Sequence, residues 1–326
     1  MPELPEVEYT ARQLRAAIVG ATISEAQVFW ERTIGYPALP AFLAGVSGRQ
    51  VEGIRRRGKF LLLDLSGDLV MTIHRRMTGN MLILPPGWEI DIHLRQTDPL
   101  AWSTKGPSFR RILAAPGDDQ HGEGASKGTA YLLSNGNDPR LAYCRVCFYF
   151  SDGRYLLFTD PRKFGRIELW PRELEREALK GLGPEPLDEG FTVEKLMEAL
   201  AAHKSTIKQA LLTQEVIAGL GNIYADEALF YAAIHPLRRA NSLSPAEIQL
   251  LHEGILSVLT LGIERGGTSF NDYRDLWGEA GENYDHVLVY HRAGQPCLRC
   301  GVPIERVTIA QRSTHFCPNC QKLTSE

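Results

Sequence analysis

Cysteine is scarce in this chain and unevenly placed: there are six in 326 residues, four of them in the last thirty. Such a distribution cannot build a disulfide framework and points to a metal instead. Long apolar runs are missing. None approaches the roughly 18 residues of a membrane span, and no secretory leader is visible, so the expected location is the cytoplasm with no membrane partner. Internal repeats are absent as well. Nor is there an excess of positive charge, since 36 Lys and Arg stand against 39 Asp and Glu for a net −3. That balance would ordinarily argue against a nucleic-acid partner, but a basic face is enough for one. Two such clusters exist: Arg55, Arg56, Arg57 and Lys59, and a tail from His291 onward that is locally +3.

What is present divides into three parts, and the length allows about two domains with cores of their own. MPELPEVEYTARQLR opens on a helix start. Proline is tolerated in the first turn, acids favour the positive end of the dipole, and Val7, Ala11, Leu14 and Ile18 share one face. This reading accounts for Pro5, Glu6 and Glu8, but it leaves Pro2 and Glu3 unexplained. TISEAQVFW, KFLLLDL, DLVMTIH, MLIL, YCRVCFYF and RYLLFTD read as strands, the last two joined by the hairpin signal SDGR. The Gly-, Pro- and polar-rich stretch between them reads as an insertion over about 86–139. The expected division is a β-rich domain at 1–170, a linker at 171–190, a helical domain at 191–285 and a metal module at 286–326. The fold class is α+β.

The sharpest motif is CLRC-x16-CPNC, in which Cys297, Cys300, Cys317 and Cys320 can close a tetrahedral four-cysteine zinc site. The hairpin between the pairs carries Arg312, either a solvated charge or a phosphate contact. Cys144 and Cys147 also form a CxxC, but odd spacing in a strand points them to opposite faces, and buried free thiols are the better reading. In QEVIAGLGNIYADEALF the glycines break one helix and Asn222 opens another. The alternatives are a plain N-capped corner or an anion site, with Lys204 and Lys208 favouring phosphate. Lys59 heads an apolar strand, as a solvated gatekeeper or a DNA contact. Arg162 and Phe164 sit on a Pro- and Gly-bounded loop, suited either to wedging into a base stack or to a buried Phe beside a solvated Arg. Pro2, once Met1 is trimmed, would present a secondary amine titrating near pH 8, nucleophilic at neutral pH, with Glu3 beside it to move protons.

Pro-Glu at the start, a helical corner with GLGN and a terminal finger with QRST-x-FCPNCQ occur here in that order. Together they resemble the formamidopyrimidine-DNA glycosylase family, whose superfamily includes the endonuclease VIII-like enzymes. The resemblance implies an N-terminal helix and antiparallel β-sandwich, a helix–two-turn–helix domain, and a zinc-finger hairpin with one structural zinc ion. It implies a monomer acting on damaged double-stranded DNA at the bacterial nucleoid. Pro2 would attack C1′ of the damaged nucleoside and form a Schiff base, Glu3 would donate the proton, and Lys59 and Arg312 would grip phosphate and assist β,δ-elimination. Met77, Arg162 and Phe164 would fill the hole left by the flipped nucleotide. Asn222 would hold backbone phosphate, with His74, Tyr143, His203, Lys204 and Lys208 completing the DNA contacts. The trio and the segment GGTSFNDYRDLWGEAGENYDH favour oxidised purines such as 8-oxoguanine and formamidopyrimidines.

The chain departs from the family pattern in places. HRRMTGN has two arginines where the family usually has Leu-Gly, adding charge near the wedge. Tyr143 replaces a histidine, and typical bacterial members lack the insertion. The competing readings are an endonuclease VIII-like glycosylase for oxidised pyrimidines, a non-catalytic lesion binder, and a zinc-ribbon DNA-binding regulator.

Overall fold

A computed structural model describes residues 2–86, 88–91, 108–111, 141–270 and 272–323. Helix α1 (Leu4–Ile18) carries Pro5 in its first turn and buries Val7, Ala11, Leu14 and Ile18 completely. Each of the larger three contributes about 1.5–3 kcal/mol by leaving water. Behind it runs a nine-stranded sheet. Its strands in chain order are β1 (Thr22–Val28), β2 (Ile34–Tyr36), β3 (Arg49–Arg57), β4 (Phe60–Leu65), β5 (Leu69–His74), β6 (Asn80–Leu84), β9 (Cys144–Phe150), β10 (Tyr155–Thr159) and β11 (Arg166–Pro171). The spatial order is β2-β11-β5-β4-β3-β1-β9-β10-β6. A short helix α2 (Leu39–Val46) lies between β2 and β3.

Pairing is antiparallel except between β2 and β11. β1 pairs with β3 through Thr22 and Ile23 and with β9 along its length, so it carries the sheet from one half to the other. Alternating Leu61, Leu63 and Leu65 meet Met81, Ile83, Val146, Phe148 and Phe158 in one core, the interior of a sandwich. Within the expected insertion the described part is a two-stranded ladder, β7 (Trp88–Asp91) with β8 (Ser108–Arg111); the rest lies outside the described residues.

Cys144 and Cys147 do not point to opposite faces. Cys147 pairs with Leu157 and Val146 with Phe158, but Thr159 pairs with Cys144, so Arg145 is bulged out of register. The extra residue returns both thiols to one face, where they join Leu82, Leu84 and Leu157. Both are buried and free.

Residues 171–190 are not a loose connector. Glu175, in the single-turn helix α3 (Glu175–Ala178), pairs with Arg55, which also pairs with Asp64; Glu185 takes Arg56 and Arg57, and Glu8 takes Arg56. The expected basic cluster is thereby neutralised in the fold, and of its four cations Lys59 alone faces a cavity with the N-terminus.

The helical part comprises α4 (Val193–Ala201), α5 (Ile207–Leu212), α6 (Asn222–Tyr231) and α7 (Pro245–Glu264) around a second core that includes Leu196, Ile217, Leu229, Leu251 and Leu259. Ser244 and Glu247 cap α7 reciprocally, as their spacing requires. Contrary to the reading of apolar runs, α7 is long and apolar enough to cross a membrane by length and composition. Its Ile248, Leu251, Ile255, Leu259 and Ile263 are committed to the protein core, against α6 and α4. The last two strands, β12 (Glu305–Ile309) and β13 (Arg312–Phe316), form a hairpin.

Candidate active site and nucleic-acid interface

Helix α6 is the part on which the site is built. Gly219 in a left-handed conformation turns the chain, and its carbonyl accepts the Leu4 amide at 3.0 Å, fastening the start of α1 to the corner. The next turn of backbone exposes the first amides of α6. These do not wait for phosphate: Ile223 N–H and Tyr224 N–H donate to the Glu3 carboxylate at 3.0 and 3.4 Å. The anion site read from GLGN is thus filled by the protein's own carboxylate, which a helix N-terminus favours. Gly221 is required for this approach, because a Cβ there would stand 2.2 Å from the Glu3 carboxyl carbon.

Glu6 is more than a helix-start acid. It is 1% exposed and accepts from Glu3 N–H at 2.7 Å, Tyr224 Oη at 2.7 Å and Thr268 N–H at 2.8 Å. Burial, and then the charge of Glu3, push its carboxyl above the usual range. The Glu3–Glu6 spacing of three is the half of a capping pattern that could have signalled it. Lys59 is buried at the head of β4, and its ammonium is pulled below the usual lysine range by desolvation against the opposing pull of Glu3 and Glu6.

The same helix holds the finger. Asn222 Nδ2–H donates to Ser313 O at 2.8 Å, Asp226 accepts His315 N–H at 2.8 Å, and Glu227 accepts the amides of Leu288, Val289 and Tyr290. β12 and β13 are joined by Ala310 and Gln311, both left-handed, a two-residue turn of the kind whose twist matches a hairpin. That turn delivers the exposed Arg312 to the rim of the cavity.

Behind the hairpin the four cysteine sulfurs lie within 4.8 Å of one another, with Cys300–Cys317 at 3.5 Å and Cys297–Cys320 at 3.9 Å. A tetrahedron with Zn–S bonds of about 2.3 Å has edges of about 3.8 Å, so the donor set fits one zinc ion. Amides of Arg299 and Cys320 donate to Cys297 Sγ and Cys317 Sγ, as thiolate ligands require.

One cavity of about 440 Å³ collects Pro2, Glu3, Lys59, Met77, Asn222 and Arg312. Its lining also includes Thr268, Phe270, Asp272 and Tyr273 from the segment before the finger, with Tyr290 and His291. Phe270 packs against Tyr290 and His291 at ring separations of 5.1 and 4.9 Å. The volume lies in the range of small-molecule sites.

Arg162 and Phe164 stand outside the cavity on the adjoining 160–165 loop, the guanidinium 5.0 Å over the ring and Phe164 51% exposed. Asp160 binds this loop to the Met77 turn, accepting Thr78 Oγ1–H, Arg162 N–H and Gly165 N–H. Tyr143 reaches the same loop through its carbonyl, which accepts Asp160 N–H, while its ring faces Arg145. His74 is mostly buried edge-on to Phe60, its Nδ1 accepts Arg76 N–H, and burial drives its pKa down to about 3.

His203 and Lys204 lie between α4 and α5, away from the cavity, with Lys204 exposed. Lys208, read as favouring phosphate, does not reach the surface. It is fully buried, paired with Asp226 at 2.6 Å and donating to Asn222 O at 2.8 Å, and so braces the corner from inside. Of the two arginines in HRRMTGN, Arg76 is exposed, but Arg75 is 1% exposed and adds no surface charge. Tyr224 and Thr268 are the residues that sequence reasoning passes over, while it reads Glu6 only as a helix-start acid and Arg75 only as added charge.

The chain matches the family described as formamidopyrimidine-DNA glycosylase N-terminal domain over residues 1–167. It matches the H2TH domain of the same glycosylases over 182–274 and the zinc finger found in FPG and IleRS over 294–323. A formamidopyrimidine-DNA glycosylase of Roseiflexus sp. is 39% identical over 99% of this chain and 100% of its own. One of Symbiobacterium thermophilum is 40% identical over 98% and 89%. Among solved structures, a Lactococcus lactis FPG variant bound to DNA containing Fapy-dG superposes with a TM-score of 0.78 at 31% identity, covering 99% of this chain and 100% of that one. The L. lactis enzyme on DNA with an abasic site gives 0.77 at 30% identity over 98% and 100%.

Proposed function

Because the chain belongs to the formamidopyrimidine-DNA glycosylase family, we propose that its cavity receives an oxidised purine nucleotide flipped from duplex DNA, releases the base and then cuts the strand. The observation that carries this is the convergence of Pro2, Glu3, Lys59 and Arg312 on one cavity, although they come from four distant parts of the chain. The Pro2 amine, free once Met1 is removed, forms a bond to C1′ as the bond to the base breaks and the sugar ring opens, giving an iminium. Glu3, held by two helix amides, is placed to pass a proton in that step. Lys59 and Arg312 hold the flanking phosphate, and the depressed basicity of Lys59 suits it to take a proton during β- and then δ-elimination. Met77, with Arg162 and Phe164 on the loop tied to it by Asp160, occupies the vacated stack.

On this reading 1–170 is the catalytic β-sandwich domain with the insertion at about 86–139, and 171–190 is the connecting segment. The span 191–285 is the helical DNA-binding domain, and 286–326 is the finger with one structural zinc ion. Tyr143, His74, His203, Lys204 and Asn222 are the remaining DNA contacts, and the protein acts as a monomer in the cytoplasm on nucleoid DNA. The test is borohydride trapping on a duplex with one 8-oxoguanine opposite cytosine. A covalent protein–DNA band that disappears with Pro2→Gly is expected. The absence of any band on this duplex and on abasic DNA, with Met1 shown by intact mass to be removed, would overturn the reading.

A further inference from the structure

Arg75 is, with Arg145, one of the two arginines among the largest fully buried side chains of the described residues, and no part of the mechanism above uses it. Its guanidinium has no ion pair among the described residues; Glu6 and Asp275 act on it only from a distance. A charge so placed carries a large desolvation penalty, and hydrogen bonds must offset it. Four are present, and they go to three segments. Nε–H donates to Gly79 O at 2.8 Å, while Gly79 N–H returns to Arg75 O, closing the turn that has Met77 at its tip. One terminal nitrogen donates to Thr10 Oγ1 in α1 at 2.9 Å, and that hydroxyl donates in turn to Glu6 O. The other donates to Asn80 Oδ1 at 2.6 Å and to Arg274 O at 3.4 Å. Asn80 completes the join by accepting Arg274 N–H and donating to Asp272 O. The guanidinium also lies 5.1 Å over the Tyr273 ring.

The segments so tied both line the cavity: Met77, Gly79 and Asn80 from one, Asp272 and Tyr273 from the other. We propose that Arg75 is a positioning residue for base excision, locking the 272–274 segment to the Met77 turn so that the side of the cavity that receives the base is formed before DNA arrives. This rests on the function proposed above. A planar cation with several divergent donors can tie a turn, a helix and a loop at once, which an apolar side chain of similar size cannot do. Binding to a preformed wall avoids the cost of ordering it in the complex.

The proposal separates two activities of one enzyme. Releasing a base needs the wall against the base, whereas cutting a strand that already has an abasic site does not. In single-turnover assays Arg75→Leu is expected to lower 8-oxoguanine release about tenfold or more relative to cleavage of a preformed abasic duplex. Hydrogen exchange at the amides of 272–276 should quicken, and Arg75→Gln, which keeps part of the bonding, should fall between. Equal losses in both activities, or an unchanged ratio with unchanged exchange, would overturn the proposal. Should Arg75→Leu fail to fold, Arg75→Gln carries both readouts. A wild-type protein inert on both duplexes would count against the function and not against this strut, which the exchange measurement decides alone.

Discussion

Replacing Glu3 by Gln removes one charge from a point where two carboxylates and a buried lysine act on one another, and the structure sets the direction of each consequence. The carboxylate accepts two amides at the start of α6, and Gln keeps one acceptor oxygen but turns an N–H₂ toward the other amide. Losing the charge at a helix N-terminus and one charge-assisted bond costs about 1–2 kcal/mol of stability. Two neighbours respond. Glu6, pushed up in part by Glu3, moves back toward the ordinary carboxylate range, and Lys59, supported by Glu3, falls further below the ordinary lysine range. The Lys59 proton is therefore lost at lower pH than in the parent. Catalysis should suffer far more than folding, since removing a positioned proton donor costs about 10²–10⁴ in rate. The assay is single-turnover base release from an 8-oxoguanine duplex beside borohydride trapping on abasic DNA. Release should fall by that factor, whereas trapping on abasic DNA, which has no base to protonate, should persist. Release within a few-fold of the parent, with Pro2 still required, would refute Glu3 as the proton donor.

Four further outcomes follow from the geometry. Gly221→Ala should reproduce the Glu3 phenotype without touching Glu3, because its Cβ would meet the carboxyl carbon at 2.2 Å; normal base release would show that the carboxylate can be displaced harmlessly. His74, held neutral to about pH 3, contributes stability that is complete above pH 6.5 and is lost as pH falls toward 3, by up to about 1.4 kcal/mol per unit. The variant His74→Phe should flatten that slope in urea titrations between pH 6.5 and 4, and an unchanged slope would assign it to other groups. Lys208→Ala leaves Asp226 buried without its lysine and, among the described residues, held only by His315, so unfolding free energy should drop by up to about 3–5 kcal/mol; a near-normal midpoint with a shallower salt dependence of DNA binding would instead restore its reading as a phosphate contact. Removing zinc, or Cys297→Ser, should release the β12–β13 hairpin and with it Arg312, weakening duplex binding while the helical core stays folded, as circular dichroism and zinc release together would report.

Much of the molecule is legible along the chain because its signals are local. The first helix has its apolar face at Val7, Ala11, Leu14 and Ile18, the strands alternate, Ser244 and Glu247 cap at a spacing of three, and paired cysteines need only two short turns to share a metal. Errors gathered where one added residue or one long-range partner decides the result. A bulge at Arg145 reversed the expected faces of Cys144 and Cys147, since strand facing has a period of two and one extra residue inverts it. Charges were the least legible. Arg55, Arg56 and Arg57 read as a basic patch, but Glu175 and Glu185, more than a hundred residues away, neutralise them.

The sequence by itself determined the α+β class, the zinc module, the proline–glutamate terminus and the family they imply, because each depends on residue type and short spacing. Tertiary structure alone decided which groups meet. It put Glu3 rather than phosphate on the amides of α6, buried Lys208 against Asp226, and turned Arg75 inward behind the cavity lining. Whether a lysine, an arginine or a carboxylate is a surface charge or a buried tie depends on the partner and on exclusion of water. Both are properties of packing between segments distant in the chain.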